Sequence, residues 1–510
     1  MAYLLGIDIG TSGTKTLLMD ENGRTRASRT VEYPLLTPHP GWAEQHPEDW
    51  WKATCESVQF VLAKSRVRPE EIAGVGLSGQ MHGSVFLDEK GKVIRPAILW
   101  CDARTAAECD EIMTKVGPRR MHDLVSNPAL AGFTVPKIVW LRNHEPQKYA
   151  KVRQVLLPKD YIRYRLTGAY AMEVSDAAGT AMFDVRNRRW SDEFLQILNI
   201  PREWLPPVYE SYDVCGKVTA AAARATGLAK GTPCVGGGAD NTCGAIGGGI
   251  VVEGRAMTSL GTSGVIFAPT NEPQVDPRER LHTFCHSTRR QWYLMGVVLS
   301  AGMSLQWYRN ELAALERAEA KKKKQDVYDL MMAQAAKTPV GAEGLFFLPY
   351  LMGERSPHKD PHARGAFVGL SFRHGKGHLI RAIVEGVAFA LRDSLEIMMG
   401  LGVKLDEVRL IAGGAKSPFW RKTIANVFGL PIAIPEKTEG PALGAAILAG
   451  VGTGVFEDFF ETTERILPVA MRVEPDLKEH EQYMALYGQF TKLYPALKEH
   501  YATMGKMLKL

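Results

Sequence analysis

Two short segments of this chain carry residue types that bind phosphate. Asp8-Ile-Gly-Thr-Ser-Gly-Thr-Lys15 lies near the start, and Ser259-Leu-Gly-Thr-Ser-Gly-Val265 lies far downstream. Each sits between apolar, strand-like runs. A Gly-Thr-Ser-Gly turn between two strands presents backbone N–H groups and hydroxyls at one point, which suits a phosphate. One copy alone also fits an ordinary hairpin turn. Two copies, one per half, point to two related domains gripping a polyphosphate between them. Gly10, Thr11, Ser12 and Thr14 form the first candidate site, with Lys15 adding a point charge. Gly261 and Thr262 form the second. Only the first copy has an acid at the strand end, Asp8, which places a metal ion such as Mg2+ on that side.

Cys234-Val-Gly-Gly-Gly-Ala-Asp-Asn241 reads as a short strand ending in a glycine-rich loop. Asp240 alone fits a cap or turn. Beside two phosphate turns it becomes a candidate base, because transfer of a phosphoryl group to an alcohol needs a carboxylate that takes the hydroxyl proton. Asn241 is then a substrate contact, and Asp240 joins Asp8 as a candidate metal ligand. Gly413-Gly-Ala-Lys-Ser-Pro418 follows an apolar strand and opens a helix. The pair Gly413 and Gly414, with Ser417, leaves room for a nucleotide base or ribose; the same pattern is also a common strand-to-helix turn.

Gln80-Met-His-Gly83 follows another strand, where a substrate loop belongs, and His82 is of a type to bond a polyol hydroxyl. In Trp100-Cys-Asp-Ala-Arg104, Asp102 and Arg104 can bind hydroxyls or each other. Gly74-Val-Gly-Leu-Ser-Gly79 fits G-x-G-x-x-G, but its glycines lie within a strand and no helix opens after it. That excludes a dinucleotide fingerprint. There is no Walker A pattern, so any use of ATP proceeds without a P-loop.

The elements that must carry these residues follow an α/β pattern. Strands are expected at 4–9, 16–19 and 24–32, with a helix from Pro47 to about Ala63. Strands at 72–78 and 84–87 follow, and then a helix at 158–166. The second half restarts the theme with strands at 256–260, 265–268 and 291–300. The spacing of Ile380, Ile383, Val384, Val387, Leu391, Leu395 and Met398 predicts a helix over 378–399. A strand at 408–412, a helix from Ser417, a strand at 432–434 and a helix over 441–449 close the second domain, and a polar helical tail begins near Asp476. The domain boundary falls in the glycine-dense stretch 247–254, giving domains 1–248 and 249–510, with the docking site of the last helices open and the first domain a candidate for it.

At 510 residues the chain is too long for one ordinary core. Its 45% hydrophobic and 23% charged residues are those of a globular protein, and its net charge of +6 is not segregated into a basic domain. The run Lys321 to Lys324 reads as a solvated helix face or loop, with a phosphate or nucleic-acid contact the lesser alternative. Nothing else resembles a nucleic-acid footprint. The seven cysteines are irregularly spaced with no Cys-x-x-Cys pair, which fits reduced thiols in the cytoplasm. Neither a signal peptide nor a membrane-spanning run is apparent.

Together these residues resemble the FGGY carbohydrate kinases, members of the actin-like ATPase superfamily. Gly132-Phe-Thr-Val-Pro-Lys-Ile-Val-Trp-Leu-Arg-Asn-His144 is similar to the first family signature. Gly365-Ala-Phe-Val-Gly-Leu370 followed by His378-Leu-Ile-Arg-Ala-Ile-Val-Glu385 is similar to the second. The resemblance runs from about residue 3 to 450. It implies two ribonuclease-H-like domains flanking a deep cleft, ATP and Mg2+ as cofactors, and a homodimer. Within the family, Gln80 to Gly83, Leu157 to Tyr161, Ser175 to Gly179 and Leu348 to His358 most resemble the branch that phosphorylates O5 of D-xylulose. That likeness implies sugar contacts at Met81 and His82, Asp240 as base and Asp8 for the metal. It further implies ATP contacts at Gly261, Thr262 and Gly414, with Gly302 and Gln306 beside the nucleotide. Cys101 departs from the asparagine expected there and bears on the sugar contacts near Asp102. The competing expectations are a family kinase for ribulose, gluconate or glycerol, and an actin-like or chaperone-like ATPase without a sugar substrate.

Overall fold

The computed structural model describes residues 1–436 and 439–508. Its first lobe is built on strands β1 (Tyr3–Ile9), β2 (Gly13–Asp20), β3 (Thr25–Glu32), β4 (Ile72–Gly79), β5 (Val214–Lys217), β6 (Pro233–Val235) and β7 (Gly238–Ala239). They form one sheet in the order β5-β6-β4-β1-β2-β3, with β7 also paired to β4. β1 to β3 are an antiparallel meander, while β1, β4, β6 and β7 run parallel. Helices α1 (Pro47–Ser65), α2 (Thr134–His144) and α3 (Pro158–Thr167) belong to this lobe, and α4 (Asp240–Gly247) leads out of it.

The second lobe repeats the plan. Strands β8 (Gly254–Leu260), β9 (Gly264–Thr270), β10 (His282–Cys285), β11 (Trp292–Val298), β12 (Leu405–Ile411), β13 (Ile432–Pro435) and β14 (Val469–Val473) form a sheet in the order β10-β11-β9-β8-β12-β13-β14. β8, β9 and β11 reproduce the meander, and β8, β12 and β13 the parallel run. The repeated turn therefore occupies the same β1–β2 and β8–β9 corner in both lobes.

Helices α5 (Gly302–Glu311), α6 (Lys376–Gly400), α7 (Pro418–Phe428), α8 (Pro441–Gly452), α9 (Phe459–Ile466) and α10 (Leu477–Leu508) complete the chain. The periodic apolar face predicted near 378–399 is α6, whose Ile380, Val387 and Leu391 are buried in the second core. The strand-to-helix stretch at 413–418 contains one extra element: Gly413–Lys416 is a tight helical turn, and Ser417 then caps α7. The tail helix α10 packs on α6 and α7 of the second lobe. Of the last two helices, α9 reaches the first lobe, where its Arg465 donates to the Glu21 carbonyl. Lys321 to Lys324 close an exposed helix over Ala314–Lys323.

α8 crosses back and lies on β1 and β4 of the first sheet. Glycine permits that approach: a Cβ on Gly6 would stand 1.8 Å from the Ala442 carbonyl oxygen, and one on Gly76 would stand 1.9 Å from that of Ala445. The glycines of the rejected G-x-G-x-x-G pattern thus serve helix packing inside β4. No helix among the described residues is long and apolar enough to cross a membrane.

Candidate active site

The carboxyl ends of β1, β4 and β7 meet at one point. Asp8 pairs with Ser78 across β1 and β4, and Ala239 pairs with Gly79 across β7 and β4. The chain beyond these ends supplies the first phosphate turn, the Gln80–Gly83 loop and Asp240. Asp240 opens α4, and the Asn241 N–H donates to its Oδ1 at 2.8 Å. Its position is braced from behind. The Ala239 N–H donates to Ser175 Oγ at 2.9 Å, and Ser175 donates to Glu173 at 2.8 Å. Lys159 Nζ contacts the buried Glu173, Asp160 and Asp176 at 3.2, 2.8 and 2.7 Å.

Two carboxyls share this poorly solvated corner, and burial disfavours their charged forms. It pushes Asp240 up to about 7, with the neighbouring charge of Asp8 adding to the rise. It pushes Asp8 up to about 6, against the pull of Ser78 and Lys15. Asp8 Oδ1 is buried without a hydrogen-bond partner. That orphaned oxygen fits a hard divalent cation. No group of three potential ligand side chains surrounds it among the described residues, so phosphate oxygens and water would have to complete such a site.

The first turn is held rigidly. Gln45 donates to the Thr11 carbonyl at 2.7 Å, Tyr33 to the Gly10 carbonyl at 2.5 Å, and Trp100 to Thr11 Oγ1 at 2.9 Å. Gln80, predicted as a sugar contact, belongs to this scaffold: its buried amide bonds Gln45 at 3.0 Å and the Gly10 carbonyl at 3.4 Å. Ser12 is exposed, while Thr14 is buried. Lys15 stands opposite Asp8 and bonds the Glu439 carboxylate at 2.9 Å. Asp102 is likewise occupied. It pairs with Arg104 at 2.6 Å and accepts from the Ala43 N–H at 2.6 Å, so of the two alternatives the structure shows them binding each other.

The second turn opens onto a cavity of about 400 Å³ in the second lobe, lined by Gly261, Thr262, Gly302, Gln306, Gly413, Gly414 and Ser417. All seven were expected at a nucleotide site. Tyr328 and Trp420 also line it and were missed. Gly302 must be glycine: its N–H donates to the Gly261 carbonyl at 3.0 Å, and a Cβ there would stand 2.3 Å from that oxygen.

Met81, His82 and Asn241 come together beside Asp240. Asn241 Nδ2 lies 3.5 Å from the sulfurs of both Met81 and Met295. His82 has φ +65°, a left-handed backbone that a side chain disfavours. Its carbonyl is held by Lys137 Nζ at 2.8 Å and Thr134 Oγ1 at 3.1 Å. Its Nδ1 lies 2.6 Å from the Gly179 carbonyl. That carbonyl only accepts, so Nδ1 carries the proton and Nε2 is left as an acceptor. Burial and the Lys137 charge hold the ring neutral, with a pKa lowered to about 3. Lys137, which holds the His82 carbonyl, carries no individual expectation in the sequence. Its signal is a lysine on a helix whose other early residues are all buried.

Two glycine-rich turns, one in each lobe, and a buried carboxyl at the end of β7 make up the candidate site, and the chain as a whole is similar to known proteins. Residues 3–247 match the N-terminal domain, and residues 256–453 the C-terminal domain, of the FGGY family of carbohydrate kinases. A xylulose kinase of Bacillus subtilis is 38% identical over 98% of both chains. A xylulose kinase of Escherichia coli is 39% identical over 97% of this chain and 99% of its own. The crystal structure of a xyloylose kinase from Brucella ovis superposes with a TM-score of 0.89 at 37% identity, covering 98% of this chain and 99% of that one. Both halves therefore have one assignment: the chain belongs to the FGGY family of carbohydrate kinases.

Proposed function

We propose that this chain transfers the γ-phosphoryl group of ATP to O5 of D-xylulose, giving D-xylulose 5-phosphate and ADP. The observation that carries the reading is Asp240: a carboxylate at the convergence of three strand ends, raised to about 7 and adjoining the sugar loop. The full-length similarity to xylulose kinases supports the choice of sugar. The nucleotide lies in the second-lobe cavity, and its phosphates reach the Gly261–Gly264 and Gly10–Gly13 turns. Asp240 accepts the O5 proton as the new P–O bond forms. Positioning and fixed dipoles supply most of the acceleration. Asp8, with Asp240 beside it, would hold Mg2+, whose charge offsets that of the phosphates. His82 accepts a sugar hydroxyl at Nε2, and Asn241 adds a second polar contact. Seven free cysteines support a cytoplasmic setting, while a homodimer rests on family resemblance alone.

A coupled assay of ADP release over a sugar panel tests the reading. D-Xylulose is expected to be phosphorylated with the highest kcat/KM. A higher value for ribulose, gluconate or glycerol overturns the substrate. ATP turnover at full rate without any sugar overturns the kinase reading itself.

A further inference from the structure

Three histidines lie near the cleft, and their hydrogen bonding separates them. His286 is satisfied at both ring nitrogens: Nε2 meets the Ile250 carbonyl at 3.0 Å, and Nδ1 accepts from the Thr288 N–H at 3.3 Å. His82 is engaged at Nδ1. His282 is 5% exposed, its Nδ1 is buried without a partner, and neither ring nitrogen bonds any described residue. A histidine placed only for packing would avoid leaving a buried polar atom unpaired.

The strand register shows where His282 points. It stands directly opposite Met295 across β10 and β11, and opposed residues of an antiparallel pair share a face. Met295 touches Asn241 Nδ2, and Asn241 follows Asp240. Asp240, Asn241, Met295 and His282 are thus linked in turn by chain adjacency, contact and strand pairing. On the facing wall, Phe133 lies 5.9 Å from the His282 ring and 4.6 Å from the His82 ring. Phe284 stacks against His282 at 5.8 Å. The two histidines, one from each lobe, flank the same aromatic floor.

We propose that His282 hydrogen-bonds the C1 hydroxyl of the ketose, fixing the end of the sugar remote from the transferred phosphoryl group and acting as a specificity residue supplied by the second lobe. This rests on the D-xylulose reading. A neutral imidazole offers one donor and one acceptor, and a primary hydroxyl can use either. Burial and the nearby charges of Arg355 and Lys359 keep the ring neutral, with a pKa near 3.

The test is a substrate cycle on the full chain, with unaltered protein, His282→Phe and His282→Gln each assayed on D-xylulose and on 1-deoxy-D-xylulose. The phenylalanine variant is expected to raise KM for D-xylulose about tenfold with a smaller change in kcat. It should lose little further on the deoxy sugar, which lacks the hydroxyl. Glutamine, which keeps a donor and an acceptor, should recover part of the loss. Equal losses on both sugars, or none on D-xylulose, overturn the proposal. If the phenylalanine variant does not fold, the same comparison is made between glutamine and unaltered protein, where a penalty shared equally by both sugars is the overturning result. Failure of the underlying reading shows separately, as absence of D-xylulose turnover by the unaltered chain.

Discussion

At the scale of the residue, Asp240 joins a stability cost to a chemical use. Its pKa in the folded chain is about 7, against 3.8 for an ordinary aspartate. The folded state therefore binds that proton more tightly than the unfolded one. Its contribution to stability is greatest below about pH 4 and is lost as pH rises through 7. The opposite sign governs catalysis, because only the ionised carboxylate can take the O5 proton. Asp240→Asn is accordingly expected to lower kcat by about 10²–10⁴-fold. It should also raise stability at pH 8 by on the order of 2–4 kcal/mol, an advantage that shrinks toward pH 4. Steady-state kinetics and denaturant unfolding at the two pH values check both halves; unchanged kcat removes the base, and a pH-independent stability difference removes the burial argument. For the unaltered chain, kcat/KM should rise with pH up to about 7. Lys137 makes a separate prediction. It is buried, with a pKa lowered to about 7 by burial, and it holds the strained His82 carbonyl at 2.8 Å. Lys137→Met should raise the sugar KM by about tenfold, as loss of a charged hydrogen bond does, and leave the KM for ATP unchanged. Equal shifts in both would make Lys137 a general support of the fold.

At the scale of the element, the site depends on α8 lying directly on the first sheet. Gly6→Ala would drive a methyl group into the Ala442 carbonyl, which backbone cannot yield cheaply. A loss of at least about 3 kcal/mol is expected. Gly488→Ala is the control: this glycine is exposed in the interior of α10 with open space at its Cβ, and alanine there should add about 0.5–1 kcal/mol. Denaturant midpoints decide, and similar midpoints for both variants would refute the close-packing account. The phosphate hairpins, α1, α6 and α8 were legible because their cause is local: a turn, a cap, or an apolar period. β7 was not, because two residues become a strand only through pairing with β4. The cavity at the second turn was legible through its glycines, while Tyr328 and Trp420 resemble ordinary core aromatics. The second-lobe wall of the sugar pocket left no local trace. His282, Phe284 and Met295 read as residues of buried strands, and only the register between β10 and β11 sets His282 opposite Met295, which meets Asn241. Gln80 and Asp102 sit in the right loops, and a neighbour claims each of them: Gln45 and Arg104.

At the scale of the whole molecule, the proposed function seats the nucleotide base in the second lobe and the sugar and phosphates where the two lobes meet. Among the described residues, the cavity at the second turn is lined by Leu260 and residues after it. The sugar loop and Asp240 belong to the first lobe, and β10 and β11 meet them from the second. On the sugar side the lobes are sewn together: Asn127 bonds the Thr283 backbone through both ends of its amide, and Trp292 donates to the Val185 carbonyl at 2.6 Å. Between the lobes run α4 and α8, packed on each other through Gly444, whose Cβ would stand 1.9 Å from the Cys243 carbonyl oxygen. A seam and a tight helix crossing allow rotation more readily than sliding. The lobes should therefore close as a hinge that brings the nucleotide turn toward Asp240, with the pivot near the seam. Such closure has a use, since water competes with the sugar for the phosphoryl group and a site completed only when both substrates are present suppresses that loss. Small-angle scattering should show the radius of gyration falling with D-xylulose and a non-hydrolysable ATP analogue together, and by less with either alone. No compaction with both ligands would mean that the cleft works without closing. Equal compaction with nucleotide alone would mean that the sugar does not trigger it, and fast sugar-independent ATP hydrolysis should then accompany that result.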